Sequence, residues 1–262
     1  MTPPTISRRE PNHSPNPEVQ FLQQIFGDFG GQMINWAARY FPMLRVLKQH
    51  GFMKRGTLLE IGSGHRGIGS YRKVPFTGCD VDFPFKARWP MTPLIASGAE
   101  LPVEDKSFDV VIASDVLEHV PPDFREKVIQ EALRVARSLV IFGFPCGSSA
   151  HDADKEFKRF CLMRNIAVPQ WLEEHMQAAF PEPSLFQNIP GWNVVQFSNE
   201  NLEFHSWLVR RERNWWFARI GGRLARYMPW LLEPILRRVD HEPTYRQIFV
   251  LTPLNLESKV AT

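Results

Sequence analysis

A glycine-rich segment with acidic residues before and after it carries the clearest chemical signal in the sequence. Glu60 lies in a short apolar run of strand length, and Gly62, Gly64 and Gly67 follow it directly. Glycines at such a point allow a tight turn whose backbone N–H groups lie close to a bound ligand. Asp80 stands twenty residues after Glu60, at the end of a second apolar run, where a carboxylate can accept hydrogen bonds from ribose hydroxyls. The pattern predicts a site for a cofactor that contains a nucleoside.

These residues alone leave alternatives open. Asp82 lies two residues after Asp80, on the same side of the chain, and competes with it for the ribose. A glycine-rich turn with a downstream acid also fits a nicotinamide dinucleotide. A strand-to-helix turn that binds no ligand would need the same glycines.

The segments around this loop alternate between strand-like and helix-like patterns. Continuous apolar runs at LLEI, DVVIA and LVIF are typical of strands buried on both faces. Helical spacing is found in PDFREKVIQEALRVAR, and WNVVQF and YRQIFVLTP are later strand candidates. The segment before SFDVVIAS is rich in proline, and no strand is predicted there. This alternation predicts an α/β fold with a doubly wound, mostly parallel sheet.

Composition and charge narrow the classes of protein. The 262 residues are 44% apolar and 23% charged, as expected of a globular protein with a buried core. Three cysteines without CxxC spacing argue against a disulfide framework or a zinc site and favour a reducing, cytoplasmic compartment. No apolar run approaches the roughly 20 residues of a membrane span, and a net charge of +3 gives no argument for nucleic acid. Collagens, secreted mini-proteins and integral membrane proteins are excluded.

The same patterns divide the chain. Residues 1–18 are rich in proline, serine and asparagine, and we expect a disordered leader there. Residues 19–55 contain two apolar helical patterns, the second of which ends near Gly51. Residues 56–262 are expected to form the main domain, in which 200–242 are a helical cap or insertion between the last two strands.

From about Thr57 to Pro145, the order of the motifs is more specific than any one of them. GCD ends the second apolar run, and AELP, SFDVV, DVLEHV and EALRV follow in turn. In these motifs the sequence resembles the class I S-adenosylmethionine-dependent methyltransferases, and among them the methyltransferase type 11 family. The resemblance implies a seven-stranded Rossmann-like sheet, here with a helical N-terminal extension and a helical C-terminal insertion. It also implies that S-adenosylmethionine is the cofactor and that S-adenosylhomocysteine is released.

The resemblance assigns roles to individual residues. Ten are expected to bind the cofactor, namely Glu60, Gly62, Ser63, Gly64, Asp80, Val81, Ala99, Glu100, Ser114 and Asp115. Among these, Glu60 is expected at the methionine end and Asp80 at the ribose. Ala99 and Glu100 are expected near adenine, and Ser114 and Asp115 on the sulfonium side. An acid before the glycine loop also suits the ammonium group of a methionine moiety, which a nicotinamide cofactor lacks, and this favours methyl transfer over hydride transfer.

His119 is the predicted catalytic residue. Methyl transfer depends chiefly on the alignment of nucleophile, methyl and sulfur, but a hydroxyl acceptor usually also needs a general base nearby. His119 lies in DVLEHV, after the predicted strand DVVIA, where the loop borders the acceptor side of this architecture. The alternative is a histidine that packs on or caps the helix that begins near Pro121.

Two other polar clusters have open roles. His151, Asp152 and Asp154 follow the predicted strand LVIF, at the sheet edge where ligands bind, and could line an acceptor pocket or hold a divalent ion. Because no second ligand cluster with metal spacing accompanies them, we expect no metal ion. Glu174 and His175 lie on a predicted helix. They either reach the acceptor or lie on a face of the helix that is exposed to solvent.

Residues 207–238 contain eight arginines and four tryptophans. Tryptophans and arginines on opposite faces favour anionic lipid headgroups, which predicts peripheral contact with the inner face of a membrane. The other interpretation is a helical insertion that caps the active site, with its arginines paired to nearby acids. The two interpretations are compatible.

The predicted function is O-methylation of a small-molecule, sugar or lipid-linked acceptor. No nucleic-acid substrate is expected, because the sequence has no basic, aromatic groove of the kind that binds single strands. A NAD-dependent oxidoreductase is one alternative, although it leaves AELP, SFDVV and DVLEHV unexplained. The other is a non-catalytic, methyltransferase-like binding module.

Overall fold

The computed structural model describes residues 34–83 and 86–254. Within these residues the strands are β1 (Leu58–Ile61), β2 (Phe76–Asp80), β3 (Met91–Ile95), β4 (Phe108–Ser114), β5 (Ala136–Pro145), β6 (Trp192–Asn201) and β7 (Thr244–Pro253). The α-helices are α1 (Ile34–Gln49), α2 (Pro122–Val135), α3 (Gly147–Met163), α4 (Gln170–His175), α5 (Leu202–Arg211), α6 (Trp215–Tyr227) and α7 (Pro229–Arg238). The predicted leader, 1–18, and the first predicted helix of 19–55 lie outside the described residues.

All strands belong to one sheet in the order β3-β2-β1-β4-β5-β7-β6. The first five strands are parallel to their neighbours, whereas β7 runs antiparallel to both β5 and β6. The doubly wound, mostly parallel, seven-stranded sheet predicted from the sequence is confirmed. The strand order reverses between β1 and β4, and ligands of open α/β sheets bind at the carboxyl ends of the strands at such a point.

The edge strand β3 was missed by the sequence analysis, which treated its segment only as proline-rich. Pro93 lies in the middle of this strand and pairs with Gly78 of β2. Proline lacks an N–H donor and is therefore confined to edge strands and bulges. Because β3 has a neighbour on one side only, the missing donor disrupts no second ladder.

Helices cover both faces of the sheet, as the continuous apolar strands require. On one face, Tyr40 and Met43 of α1 belong to the same buried apolar cluster as Ile112 of β4. On the other, Val128 of α2 shares a cluster with Val111, the residue beside Ile112 whose side chain points the opposite way. The first crossover, between β1 and β2, is too short for an α-helix and contains a 3-10 helix at Gly67–Ser70.

The connection between β6 and β7 consists of α5, α6 and α7, which pack on the outer side of α1. Ala37 and Phe41 of α1 share one apolar cluster with Ala225 of α6 and Leu236 of α7. Gly221 lies so close to α1 that a Cβ atom there would come within 2.8 Å of the Ile34 side chain. In the described part of the chain, no helix combines the length and hydropathy that crossing a bilayer would require.

Candidate functional site

The loop between β1 and the 3-10 helix places three glycines in the left-handed region of backbone space. The φ angles of Gly62, Gly64 and Gly67 are +68°, +53° and +48°. A Cβ atom on Gly67 would lie 2.0 Å from the Glu60 carboxylate, because the loop wraps around that side chain. A Cβ atom on Gly64 would meet no other atom within 4 Å, so this part of the loop has an open side.

Glu60 is the buried centre of this loop. One carboxylate oxygen, Oε1, accepts a 2.6 Å hydrogen bond from the Tyr40 hydroxyl, and Oε2 accepts a 2.7 Å bond from the Ile68 N–H. Burial raises the pKa of Glu60 to about 7, although both hydrogen bonds act to lower it. A cationic group beside this carboxylate would therefore favour its ionised form.

Asp80, at the end of β2, is bonded to the glycine loop. Its Oδ2 accepts a 2.9 Å hydrogen bond from the Gly64 N–H, and its Oδ1 accepts a 2.8 Å bond from the Val81 N–H. A carboxylate offers about four acceptor positions, so each oxygen keeps one for a ligand. Asp82 is exposed, and so is the Val81 side chain. Of the two competing acids, Asp80 is the one that contacts the glycine loop.

The turn after β3 brings the residues predicted for adenine to the same edge of the sheet. Ala99 is buried, its N–H donates to the Ser97 hydroxyl, and Glu100 is exposed. Gly98 approaches β1 closely, since a Cβ atom there would lie 2.7 Å from the side chain of Ile61. The turn therefore packs against β1 next to the glycine loop.

Ser114 and Asp115 follow β4 and differ in their surroundings. The Ser114 hydroxyl is buried and has no hydrogen-bond partner among the described residues. The Asp115 carboxylate is held by Arg246 of β7, at 2.6 and 2.8 Å, and by Arg39 of α1, at 3.1 Å. Burial opposes ionisation of Asp115, but the two arginines lower its pKa to about 2. Asp115 is thus a fixed anion that ties α1 and β7 to the end of β4.

His119 lies in a chain of polar side chains at the carboxyl end of β4. Its Nδ1 is 3.0 Å from a Glu174 carboxylate oxygen, and its Nε2 is 3.3 Å from Nε2 of His175. His175 Nδ1 is in turn 2.6 Å from the Asp154 carboxylate, which also accepts a bond from the Tyr245 hydroxyl. His175 is buried, so the solvated-face interpretation of this residue is wrong.

Glu118 completes this cluster from the same loop. It is buried, neither carboxylate oxygen has a hydrogen-bond partner among the described residues, and Oε1 lies 4.0 Å from His175 Nε2. Burial raises its pKa well above the ordinary range, and the negative charge of Asp115 adds to this effect. Ligand atoms of Glu118, His119 and His175 all lie within 4.8 Å of one another, a grouping that can hold a metal ion.

The structure separates the residues that follow β5. Asp154 is fully buried in the histidine cluster. Asp152 is exposed and pairs with Lys155 at 2.8 Å. His151 stacks on Phe180, with ring centroids 4.9 Å apart. Asp154 bonds to the His175 imidazole, whereas His151 contacts His175 only at its backbone and Asp152 bonds to neither histidine of the cluster.

Tyr40, Arg39 and Arg246 were missed by the sequence analysis, and no local signal identifies them. Arg246 is 131 residues from its partner Asp115 and also bonds to buried Glu200 at 2.6 Å. Its side chain is almost completely buried. Such a residue can be recognised only from the tertiary fold, because its partners lie on other elements.

Comparison with known proteins agrees with the geometry. Residues 59–142 match the family model described as a methyltransferase domain. Among curated proteins, no sequence matches the chain.

The chain is similar to several solved structures. One is described as a sarcosine dimethylglycine methyltransferase from Galdieria sulphuraria, with 13% identity over 90% of this chain and 96% of that one and a TM-score of 0.54. Another is magnesium protoporphyrin IX methyltransferase from Synechocystis PCC 6803 with bound S-adenosylhomocysteine, with 12% identity over 89% and 87% of the two chains and a TM-score of 0.48.

The Galdieria structure shows that the chain has the methyltransferase fold. Neither the oxidoreductase alternative nor the non-catalytic module is supported by these comparisons. Residues 59–142 thus match a methyltransferase domain, and the seven-stranded sheet that contains them has the fold of the methyltransferases.

Proposed function

We propose that this protein transfers a methyl group from S-adenosylmethionine to a hydroxyl oxygen of a small-molecule, sugar or lipid-linked acceptor. The observation that carries the oxygen assignment is the His119 and His175 pair at the carboxyl end of β4, next to the predicted cofactor residue Ser114. A hydroxyl is a poor nucleophile until its proton is removed, and imidazole is the side chain that most often does so. The His119 side chain is 31% exposed, so an acceptor can reach it.

The residues around the glycine loop fit the cofactor that the fold implies. The buried Glu60 carboxyl forms no direct ion pair among the described residues, although the charge of Arg39 acts on it, and the ammonium group of a methionine moiety would supply a direct cationic partner. Asp80 keeps acceptor positions for the ribose hydroxyls, and the Ser114 hydroxyl is buried without a partner. We assign these three residues to the ammonium, the ribose and the sulfonium side. The cofactor supplies an electrophilic methyl group on a sulfonium.

The reaction needs an oxygen nucleophile in line with the methyl carbon and sulfur. A bond forms from the acceptor oxygen to the methyl carbon while the carbon–sulfur bond breaks, and its electron pair stays on sulfur. Positioning of the two substrates supplies most of the acceleration. On this chain, the task of activating the acceptor hydroxyl falls to His119, whose Nδ1 is fixed by Glu174.

An acceptor panel tests the proposal. The protein is incubated with S-adenosylmethionine carrying a labelled methyl group and with phenols, sugars, polyprenyl-linked sugars, amines and thiols, and the products are identified by mass spectrometry. We expect label on oxygen for at least one hydroxyl acceptor, with a loss of about 100-fold or more in rate for His119→Gln, a typical effect of losing a general base. Label on nitrogen or sulfur alone would contradict the oxygen assignment.

The helices α6 and α7 support the lipid-linked branch of this proposal. Trp216, Tyr227 and Trp230 are 66%, 62% and 64% exposed, and the neighbouring Arg223 and Arg226 are also exposed. Amphipathic aromatic rings beside cationic side chains suit the boundary between headgroups and acyl chains of an anionic bilayer. The opposite side of these helices packs on α1. One face of α6 and α7 can therefore cover the domain while the other contacts a membrane.

A further inference from the structure

We propose that Glu118, His119 and His175 bind one divalent transition-metal ion of the Zn²⁺ type. Two imidazoles and one carboxylate form a ligand set for zinc and its first-row neighbours, whereas Mg²⁺ and Ca²⁺ prefer oxygen ligands alone. The ligand atoms come from two elements, the loop after β4 and the end of α4, that meet beside the predicted cofactor site.

The distance between the two imidazoles matches a shared ion. His119 Nε2 and His175 Nε2 are 3.3 Å apart. Two zinc–nitrogen bonds of 2.0–2.1 Å at a tetrahedral angle place their nitrogens about 3.3 Å apart. Glu118 Oε1 is 4.0 Å from His175 Nε2, and all three ligand atoms lie within 4.8 Å of one another, so Glu118 has to approach the histidines to share the ion.

The outer sides of both imidazoles are arranged as in metal sites. A carboxylate faces Nδ1 of each ring, Glu174 at 3.0 Å for His119 and Asp154 at 2.6 Å for His175. Metal-ligating histidines almost always donate their second N–H to such a partner, which fixes the tautomer and the ring orientation. Both Nε2 atoms then face each other, and either a shared proton or a metal ion between them removes the repulsion of their lone pairs.

The buried carboxylate of Glu118 is a separate argument for an ion at this position. Its side chain is completely shielded from solvent, and among the described residues neither oxygen accepts a hydrogen bond from another residue, although its own backbone N–H and the charges of Arg39 and Arg246 act to lower its pKa. Burying a carboxyl group without partners is costly, and such groups in native proteins usually mark a water or an ion. A cation at the inferred position satisfies Glu118 and both imidazoles at once.

Three protein ligands with a free fourth position are characteristic of catalytic zinc. The exposed side of the His119 ring would give an acceptor access to an ion held by these three residues. If the proposed O-methylation is correct, such an ion would lower the pKa of an acceptor hydroxyl beside it and so would supply the activation. His119 would then be a metal ligand and not a general base, and the expectation of no metal ion would be wrong.

Equilibrium dialysis of chelator-treated protein against Zn²⁺ and Mg²⁺, followed by elemental analysis, tests the site. We expect about one Zn²⁺ and no Mg²⁺ per chain, as the ligand set dictates. Zn²⁺ affinity should fall about 100-fold or more in Glu118→Gln and His175→Gln, and about 10- to 100-fold in Glu174→Gln, which removes an outer partner. His50→Gln, at the exposed end of α1, is the control and should leave affinity unchanged.

Two further measurements keep the result interpretable if a variant does not fold. Wild-type protein with Co²⁺ should show visible d–d absorption without a thiolate charge-transfer band. S-adenosylmethionine binding is measured on the same metal-free sample, so a failed metal site and a failed methyltransferase assignment are separate outcomes. A folded wild type that takes up no Zn²⁺ or Co²⁺, or equal Zn²⁺ affinity in wild type and folded Glu118→Gln, would overturn the proposal.

Discussion

The Tyr40 hydroxyl donates a 2.6 Å hydrogen bond to the buried carboxylate of Glu60. This bond joins α1, which precedes the family-matched segment, to the loop predicted to bind the cofactor. The N-terminal helix therefore does more than cover the sheet. It supplies one of the two hydrogen bonds that support an ionised Glu60.

Replacing Tyr40 with phenylalanine should weaken both the fold and the cofactor site. The change leaves a buried carboxyl with one hydrogen bond fewer, which costs about 1–3 kcal/mol in the free energy of unfolding. It also raises the pKa of Glu60 further, so affinity for S-adenosylmethionine at pH 7 should fall. Urea unfolding and titration calorimetry measure the two effects. Tyr227→Phe, at an exposed tyrosine, is the control and should change neither. Equal behaviour of the two variants would refute the role of Tyr40.

The pKa of Glu60 predicts a pH dependence of cofactor-free stability. Its ordinary value is 4.5, and burial raises it to about 7 in the folded chain. A carboxyl whose folded pKa is raised stabilises the fold below its unfolded pKa, and this contribution is lost as pH rises through the folded pKa. The difference corresponds to about 3 kcal/mol. Denaturant unfolding should therefore show a decline between pH 4.5 and about 7 that is smaller by about 3 kcal/mol in Glu60→Gln, in which Glu212, whose pKa burial also raises to about 7, still contributes. An identical decline in the variant would assign it to other groups.

The same ionisation should be coupled to cofactor binding. An ammonium group beside Glu60 favours the carboxylate, so binding S-adenosylmethionine releases a proton at pH values near and below 7. Affinity should rise as pH increases from 6 to 8, and calorimetry in buffers of different ionisation enthalpy should detect the released proton. Glu60→Gln, which lacks the titrating carboxyl, is the control. Proton uptake on binding to wild type would contradict the assignment.

Gly67 should be far less tolerant of alanine than Gly191. Both have positive φ, +48° and +78°, so both substitutions carry the left-handed backbone cost of roughly 1–2 kcal/mol. A Cβ atom at Gly67 also meets the Glu60 carboxylate at 2.0 Å, whereas Gly191 has nothing within 4 Å. Gly67→Ala should lose at least about 2 kcal/mol more in the free energy of unfolding. Similar losses in chemical denaturation would show that the loop relaxes around the added methyl.

What the sequence could predict depended on how local each feature is. The glycine loop, Glu60 and Asp80 lie within about twenty residues of one another, and their spacing is set by the single strand and turn that carry them. The strand β4 was evident because both of its faces are buried. These features need no knowledge of distant packing.

The missed features all depend on tertiary neighbours. Pro93 concealed an edge strand, since only its position at the sheet edge makes proline acceptable there. His175 lies on a helix of six residues, too short for periodicity to tell a buried side from a solvated one. The pairing of Asp115 with Arg246 spans 131 residues, and no pattern in the sequence announces it.

The exposed aromatic face of α6 and α7 should bind anionic bilayers. Co-sedimentation with vesicles of phosphatidylglycerol should exceed that with phosphatidylcholine at low salt and fall as salt screens the arginines. The double change Trp216→Ala and Trp230→Ala should reduce it, because two exposed rings are removed. Phe124→Ala, at an exposed ring of α2, is the matched control. If the protein fails to co-sediment with either lipid at low salt, the membrane interpretation of these helices is rejected and the interpretation as a cap over the active site remains.

Titration calorimetry with S-adenosylmethionine, S-adenosylhomocysteine and NADH distinguishes a methyltransferase cofactor site from a nicotinamide site. We expect micromolar binding of the first two ligands to wild type and no binding of NADH. Asp80→Asn keeps an oxygen for the Gly64 N–H but loses the charge, and should weaken binding about 10-fold or more, equivalent to about 1.4 kcal/mol. The exposed Asp82→Asn should match wild type. Binding of NADH alone, or equal weakening in the two variants, would contradict the account.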